Sequence, residues 1–523
     1  MNAFEKRSLK YTLSCPATDF SINFAGMKFT DKALDDMAPL FKKAAKGIAD
    51  IESGKIKNPD EKRKVTHFTD RIAYAESALF NEVEAFAADI RSGKITGSTG
   101  KKFDAVVING IGGSALGPQL MQFAINGPYY NEWSAKERNG NLRIYFLDNT
   151  DAAGFVDMCK VCDPETTLHL CISKSGGTQE TKNNLIATEN LYASLKLDFA
   201  KHACAITMRE SSLDQIARSG KWLKVFEMAE SIGGRTSETS IVGHLPAVLC
   251  GIDFKSFLKG ACAMDEWTRS KKALENPAMM LAAMWYIAGK GKGSRNMVIV
   301  PYSDRLVLLS RYLQQLVMES LGKALDLDGK EVHQGLNVFG NKGGTDAHAF
   351  IQQLNDGRDD FFATFIEVLT DSKKIAMGDG FAMGDYLHGF LEGLSAALRG
   401  KGRQTIQIKL PELNEFTLGQ IIALYERAVA VYAEFININA FHQPGVQAYK
   451  LAANGILELA AELNKQLGTL APFTGSAADI AEKVGKADKT VEIAGLLDKA
   501  ALNSENVSRT FDTTSGNWIY SVK

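Results

Sequence analysis

The hydrophobic pattern of the chain changes character near residue 100. Before that point apolar residues recur at helical spacing, and Thr30 and Thr69 each precede an aspartate and a long amphipathic run. Threonine is a favourable N-cap residue, so we expect helices that start at these positions and run through Ile51 and Ile90. The pattern therefore predicts a helical N-terminal extension over residues 1–99.

After residue 100, short apolar runs of β type alternate with helical stretches. A first set of predicted strands covers residues 104–109, 143–147, 168–172, 203–207 and 223–228. A helical stretch over residues 255–290 separates it from a second set, which covers residues 297–301, 362–369 and 404–409. Long helices are predicted over residues 304–321 and 417–434. This alternation is typical of βαβ units with a parallel sheet covered by helices on both faces. We therefore predict two α/β domains in tandem, over residues 100–265 and 266–455.

The C-terminal segment is rich in small residues from about Ala453 onwards. FTGSAADIAEKVGKADKTVEIAGLLDKAAL favours two or three short helices, and the terminal NWIYSVK is β-like. Short helices followed by a strand resemble a winged helix, but the segment lacks the basic face that nucleic-acid recognition needs. We interpret residues 456–523 as a small helical appendage that serves packing.

Composition and charge narrow the functional classes. A chain of 523 residues is long enough for roughly three or four structural units. Its net charge of −1 provides no general attraction to nucleic acids or anionic membranes, so an anionic ligand would need local recruitment. The most apolar window, residues 279–288, has about half the length of a membrane-spanning helix. No nucleic-acid or membrane partner is expected.

The cysteines indicate a reducing compartment. There are seven, an odd and scattered set, which favours free thiols in a cytoplasmic protein. Cys159 and Cys162 form a CxxC pair, but no second pair or histidine cluster follows. A zinc or redox site is therefore disfavoured.

Two glycine-containing loops directly follow predicted strands. GIGGSALGP, residues 110–118, allows backbone N–H groups to approach an anion or a sugar at a helix start. A tight strand–helix turn or a distorted dinucleotide fingerprint would look similar. The strand-end acid Asp148 lies roughly 35 positions beyond Gly113, however, whereas nicotinamide binding needs an acid about 20 positions on.

The second loop, SKSGGTQET, covers residues 173–181 and opens a predicted helix. It offers the hydroxyl groups of Ser173, Ser175 and Thr178, a lysine and free helix N-terminal amides, which suit a dianionic phosphate monoester. The spacing is not that of a GxxxxGK loop, so a nucleoside triphosphate is not implied. The alternative interpretation is a serine-rich helix cap.

Three further segments carry charged residues. GGRTSETS presents Arg235 from a glycine turn, where a guanidinium can stabilise an oxyanion. On the helix with QQLVMESLGK, the i, i+4, i+8 spacing predicts that Gln315, Glu319 and Lys323 share the side opposite the apolar stripe. That side could line a cleft, with Glu319 as a base, or form a surface Glu–Lys pair. GGTDAHAF contains His348.

Together with AFHQPGVQAYK, these segments, in this order, resemble the signatures of the glucose-6-phosphate isomerase family. The resemblance covers roughly residues 100 to 455. It implies an α/β fold with two sugar-isomerase (SIS) domains, each an αβα sandwich, and an active site between them. It also implies interconversion of glucose 6-phosphate and fructose 6-phosphate without a metal or organic cofactor.

The resemblance assigns roles residue by residue. Glu319 would move a proton between C2 and C1, Arg235 would stabilise the enediolate, and His348 and Lys450 would assist ring opening. The residues implied to bind the phosphate and the rest of the sugar are Ser173, Lys174, Ser175, Thr178, Gly113, Ser114 and Gln315. The histidine would reach the site of the neighbouring subunit, so a homodimer is implied.

The chain also departs from the family pattern. Gln447 stands where glutamate is usual, Leu321 where asparagine is usual, and His442 where aspartate is frequent. We expect His348, rather than His442, to be the catalytic histidine because of its GTDAHAF context. The rival interpretations are a sugar-phosphate sensor without turnover, an isomerase that also accepts mannose 6-phosphate and, more distantly, a nicotinamide oxidoreductase.

Overall fold

A computed structural model describes residues 1–15, 17–378 and 380–523, with the side chain of Gln447 left out. The departure at Gln447 therefore lies outside the described side chains. The chain forms two compact units, Met1–His442 and Gln443–Lys523.

The first unit contains sixteen α-helices and fifteen strands among its described residues. The helices are α1 (Ala3–Lys10), α2 (Asp31–Asp36), α3 (Ala38–Glu52), α4 (His67–Ala75), α5 (Ala78–Ser92), α6 (Leu116–Ile125), α7 (Ala152–Val161), α8 (Gln179–Ser194), α9 (Ser212–Ser219), α10 (Ile241–Leu249), α11 (Phe254–Trp267), α12 (Pro277–Ala288), α13 (Leu309–Leu313), α14 (Ile351–Asp356), α15 (Met383–Gly400) and α16 (Glu415–Phe435). The strands are β1 (Thr12–Cys15), β2 (Phe20–Asn23), β3 (Ile56–Asn58), β4 (Arg63–Lys64), β5 (Ala105–Asn109), β6 (Arg143–Leu147), β7 (Thr167–Ile172), β8 (Ala203–Thr207), β9 (Lys224–Glu227), β10 (Asn296–Tyr302), β11 (Lys323–Leu325), β12 (Glu331–Gln334), β13 (Val338–Phe339), β14 (Phe361–Val368) and β15 (Gln404–Leu410).

The first large sheet has the order β6-β5-β7-β8-β9, and its neighbouring strands are parallel. All five residues of β5 are buried, and they alternate between the two faces. Val106 and Ile108 belong to the main core together with residues of α6 and α10, whereas Ala105 and Val107 pack with Met158 of α7. Helices therefore cover both faces, as the alternating pattern predicted.

The second large sheet has the order β1-β2-β15-β14-β10-β13. Strands β13, β10, β14 and β15 are parallel, and the hairpin β1–β2 extends the β15 edge in antiparallel orientation. Met297 of β10 faces the main core, while Val298 faces a separate core beneath α15. The predicted α/β class with two αβα sandwiches is confirmed, but the N-terminal extension is not purely helical, because it supplies this hairpin.

The N-terminal helices differ in part from the prediction. The side chain of Thr30 caps α2 by accepting from the amide of Ala33, as expected, but the helix predicted to run on through Ile51 is divided into α2 and α3 at Met37. The second predicted cap is wrong, because Thr69 lies inside α4. The amphipathic run that follows is divided between α4 and α5, and Ser77 caps α5 by accepting from the amide of Phe80 at 3.1 Å.

The predicted helix over residues 304–321 is interrupted. A 3₁₀ turn at Asp304–Leu306 precedes α13, and a π-helical segment covers Gln314–Glu319. The chain then leaves the helix, and Lys323 begins strand β11. The predicted helical face shared by Gln315, Glu319 and Lys323 is therefore wrong, because a π turn changes the angular spacing and Lys323 is not helical.

The second unit contains α17 (Pro444–Leu470), α18 (Ala477–Lys483) and α19 (Thr490–Asn503). Strands β16 (Phe473–Ser476), β17 (Val507–Asp512) and β18 (Asn517–Val522) form an antiparallel sheet in the order β16-β18-β17. The helices and the final strand were predicted, whereas β16 and β17 were not. A separate core that includes Leu467, Ile480 and Tyr520 holds this unit together.

The predicted domain boundaries at residues 99/100 and 265/266 lie within the first unit and stay predictions. Within the described ranges, no helix is both long enough and apolar enough to cross a bilayer.

Candidate active site

The glycine loop follows β5 and packs against two other predicted site segments. Gly112 has a left-handed φ of +60°, and a Cβ placed there would lie 2.9 Å from the side-chain nitrogen of Gln315. A Cβ on Gly113 would lie only 1.8 Å from the carbonyl oxygen of Gly234. Glycine is therefore required where this loop meets the turn that carries Arg235. Ser114 ends the 3₁₀ turn of the same loop.

The hydroxyl loop follows β7 and leads into α8. The Oγ atom of Ser173 lies 3.5 Å from the hydroxyl of Thr178, and Thr178 is the N-cap residue of α8 without making a capping hydrogen bond itself. Ser175 is exposed and accepts from the amide of Gly177 at 3.2 Å. Hydroxyl groups and helix N-terminal amides thus meet at one strand end, as a phosphate site requires.

The side chain of Lys174 binds backbone carbonyls outside the hydroxyl loop. Its ammonium donates to the backbone carbonyls of Glu230 at 2.5 Å and Ile232 at 2.9 Å. Burial, followed by the positive charge of Arg63, lowers the pKa of Lys174 to about 8. Lys174 therefore ties the hydroxyl loop to the segment preceding Arg235, and its predicted role toward phosphate stays a prediction.

Arg235 is buried and bonded on several sides. Its Nε donates to Ser320 Oγ at 2.7 Å, and Nη2 donates to the carbonyls of Ala440 at 2.7 Å and His442 at 3.2 Å. Nη1 lies 3.2 Å from Oε2 of Glu319. Burial lowers the pKa of this guanidinium, and the neighbouring Glu319 opposes that shift. The cation is consequently held in one orientation.

Glu319 ends the π-helical segment, and 22% of its side chain is exposed. One of its oxygens faces Arg235, so the carboxylate is paired yet accessible from one side. A carboxylate beside a fixed cation can exchange a proton with a ligand whose developing negative charge the same cation stabilises. The structure thus brings together the two residues that carry the predicted proton transfer.

Sequence reasoning missed two residues that hold this arrangement. Ser320 stands among the apolar residues of the predicted helix over 304–321, yet its hydroxyl accepts from Arg235. Arg63 lies in the polar stretch before α4, is buried, and donates to the carbonyls of Ser231 at 3.2 Å and Phe441 at 3.1 Å. A serine within a leucine stripe was the available signal for the first, and the sequence offered none for the second.

The other residues that the sequence singled out differ in burial. His348 ends the exposed turn Thr345–His348, which the buried Asp346 supports by accepting from the amide of Asn341 at 3.0 Å. Lys450 lies in the second unit, on the exposed side of α17. His442 lies 3.5 Å from Asp60, and burial lowers the pKa of its imidazole. Leu321 is fully buried in the core, where its side chain serves packing.

Within the described residues, Glu367, His388 and Glu392 form a group that could share a cation, with ligand atoms within 4.8 Å of one another. The ammonium of Lys409, however, lies 3.2 Å from Glu367 and 3.7 Å from Glu392. A metal ion would have to share this space with that positive charge. We interpret the group as an ion-pair network at the end of β14.

The fold and the site together define a two-sheet α/β protein with a hydroxyl-rich loop at a helix N-terminus and a carboxylate paired with a buried guanidinium. A sequence model of the Phosphoglucose isomerase family matches residues 56–407 and 396–476. The chain is 44% identical to a glucose-6-phosphate isomerase from Geobacter sulfurreducens over 97% of both chains, and 43% identical to one from Gloeothece citriformis over 93% of both. The crystal structure of a glucose-6-phosphate isomerase from Chlamydia trachomatis superimposes with a TM-score of 0.77 at 27% identity, covering 89% of this chain and 93% of that one. The chain belongs to the phosphoglucose isomerase family.

Proposed function

We propose that the chain is an aldose–ketose isomerase that interconverts glucose 6-phosphate and fructose 6-phosphate, a step shared by glycolysis and gluconeogenesis. The observation that carries the proposal is the ion pair between the buried Arg235 and the partly exposed Glu319, with Nη1 and Oε2 3.2 Å apart. Family membership over nearly the whole chain supports the same reaction.

The reaction requires a proton to move between neighbouring carbons. In the open-chain aldose, the Glu319 carboxylate takes the proton from C2, and the electron pair that remains forms an enediolate with the C1 carbonyl. The protonated Glu319 then returns the proton to C1 while the hydroxyl proton on O2 passes to O1, which produces the ketose with its carbonyl at C2. A positioned carboxylate accelerates such a step by about 10²–10⁴-fold.

Arg235 supplies the positive charge that the enediolate needs. Its hydrogen bonds to Ser320 and to the carbonyl of Ala440, both 2.7 Å long, fix the guanidinium before substrate binds. A cation that is already oriented in a water-poor site stabilises developing charge without reorganising during the reaction. This geometry supports Arg235 as the electrostatic catalyst.

The phosphate and the rest of the sugar occupy the loops at the end of the first sheet. Ser173, Ser175 and Thr178 provide hydroxyl donors beside the N-terminus of α8, and Lys174 adds positive charge to the same loop. Gly113, Ser114 and Gln315 complete the sugar pocket, because the glycine loop contacts both Gln315 and the turn of Arg235.

Ring opening is assigned to His348 and Lys450, with His348 supplied by a second copy of the chain in a homodimer. The exposed position of the histidine turn supports this arrangement. Leu387 of α15 lies near this turn, about 4.0 Å from where a Cβ on Gly344 would stand. Phe381, which precedes α15, is 58% exposed, and Phe390 of α15 is 59% exposed. Exposed aromatic side chains of this kind are enriched in surfaces that a dimer buries.

We place the enzyme in the cytoplasm. All seven cysteines are free, with four of them buried, as expected for a reducing compartment.

A coupled assay with purified protein, run with a chelator present, tests the reaction. Fructose 6-phosphate should yield glucose 6-phosphate, which a dehydrogenase then detects through reduced nicotinamide. A parallel reaction with mannose 6-phosphate measures whether the second substrate is accepted. Tight sugar-phosphate binding without turnover would instead identify a sensor, and activity abolished by the chelator would contradict the metal-free route.

A further inference from the structure

A buried lysine contacts the backbone of the segment that carries Glu319. Lys323 begins strand β11, and only 4% of the residue is exposed. Its ammonium donates to the carbonyl oxygen of Glu319 at 2.7 Å and to that of Ser320 at 2.8 Å. The side chain thus turns back from the strand to the helix end that precedes it.

These two carbonyls are groups that a helix end leaves without intrahelical partners. The last carbonyls of a helix need external donors, and a cation at this end also interacts favourably with the helix dipole. The preceding π segment, Gln314–Glu319, gives this end an irregular geometry. An outside donor therefore has more influence on the backbone here than at a regular helix end.

The same two residues are held from the opposite direction by Arg235. Glu319 pairs with the guanidinium through its carboxylate at 3.2 Å, and Ser320 accepts from it through its hydroxyl at 2.7 Å. Lys323 binds their backbone, while Arg235 binds their side chains. The candidate base is consequently fixed between two cations that do not share a chain segment.

Burying a lysine here is unfavourable in itself. Burial, and then the positive charge of Arg235, lowers the pKa of Lys323 to about 7, while Glu319 and Asp60 oppose that shift. His442 faces the same group. An apolar side chain would fill the space without the desolvation penalty of an ammonium, so packing alone does not explain a lysine at this position.

We propose that Lys323 is a positioning residue for the proton transfer, holding the backbone of Glu319 and Ser320 so that the carboxylate stays beside Arg235. The inference rests on the proposed function, since it takes Glu319 as the base. Lys323 acts through Glu319 and not through contact with the substrate.

The test compares Lys323→Met and Lys323→Arg with a matched control, Lys330→Met. Lys330 is exposed in the turn of the same β11–β12 hairpin, so its replacement should leave both kinetic constants unchanged. Lys323→Met should lower kcat by about tenfold to a hundredfold, because small displacements of a catalytic group have effects of this size. KM should stay within about threefold of wild type. Lys323→Arg keeps a cationic donor and should recover most of the lost kcat.

A wild-type kcat in a folded Lys323→Met variant would overturn the inference. A kcat loss accompanied by a matching rise in KM would also overturn it, because that pattern indicates general damage to the site. If the methionine variant does not fold, Lys323→Leu, which also lacks a donor but is more compact, replaces it with the same outcomes. Wild type and Glu319→Gln are assayed in parallel: an inactive wild type means that the proposed function fails, and an active Glu319→Gln means that Glu319 is not the base. An active wild type and an inactive Glu319→Gln beside a fully active Lys323→Met reject only the role of Lys323.

Discussion

Two parts of the candidate site differ in how completely they are arranged before a ligand binds. At the reacting end, Arg235 is buried and bonded to Glu319, Ser320 and backbone carbonyls at 2.7–3.2 Å. In the hydroxyl loop, the contact between Ser173 and Thr178 is 3.5 Å long and Ser175 is exposed. One region is held rigidly by the protein, and the other keeps donors available for a ligand.

This difference matches what each region has to do. Charge that develops in a transition state is stabilised best by groups that are already oriented. A phosphate is present in substrate and product alike, so its binding energy lowers KM without being specific to the transition state. We therefore expect changes at the reacting end to alter kcat and changes in the hydroxyl loop to alter affinity.

The largest effect is expected at the reacting end. Glu319→Gln keeps the shape of the side chain but cannot accept a proton, so kcat should fall by about 10²–10⁴-fold while sugar-phosphate affinity is largely retained. Steady-state kinetics and calorimetry measure the two quantities. Glu331→Gln, an exposed carboxylate on β12, is the control and should behave as wild type. A Glu319→Gln enzyme that isomerises at a near-normal rate would show that the base lies elsewhere.

The opposite response is expected in the hydroxyl loop. Ser173→Ala combined with Thr178→Ala removes two donors to a dianion, each worth about 1.5–3 kcal/mol. Affinity for glucose 6-phosphate should weaken about a hundredfold or more, with the melting temperature nearly unchanged. Ser194→Ala, at the far end of α8, is the matched control. Unchanged affinity by calorimetry would place the phosphate at another position and remove the contrast between the two regions.

A third change tests the contact that joins the glycine loop to the reacting end. The Cβ of Gly113→Ala would meet the carbonyl of Gly234 at 1.8 Å, so the turn of Arg235 has to move. We expect about a tenfold loss of kcat from this displacement. Gly154→Ala in α7 adds a methyl group with no atom within 4 Å and should be silent. A wild-type rate for Gly113→Ala would show that the loops do not need this close contact.

The smallest expected effect is a partial recovery of activity when two inactive variants are mixed. It tests whether one active site takes residues from two chains. Glu319→Gln and His348→Ala chains should each be inactive as homodimers. After subunit exchange, about half of the dimers are mixed, and each has one site with both residues intact, so activity should return to roughly a quarter of wild type. Mass spectrometry verifies the mixing. Mixed dimers without activity would assign both residues to the site of a single chain.

The sequence predicted the α/β class, most strands of both large sheets and the segments that meet at the site. These features depend on local patterns: buried strands such as β5 are continuous apolar runs, and helices repeat at near 3.6 residues. The hairpin β1–β2 was missed because its strands are short and become buried only by pairing with β15. The cap prediction at Thr69 is wrong because α4 already begins at His67 and ends at Ala75, so the apolar run through Ile90 is not one helix.

In the candidate site, too, some features could be predicted from the sequence and others could not. The residue types and motif order of this chain were sufficient to select Glu319 and Arg235, because a base and a cation are recognisable by chemistry and context. Their pairing, the bond from Arg235 to Ser320 and the return of Lys323 to the carbonyls of Glu319 and Ser320 were decided by the tertiary structure. The sequence by itself determined which groups are present and which local elements carry them. Only packing determined which groups meet, because burial brings together residues that are far apart along the chain. In addition, the π turn and the exit into β11 reorient side chains that a regular helix would have placed on one face.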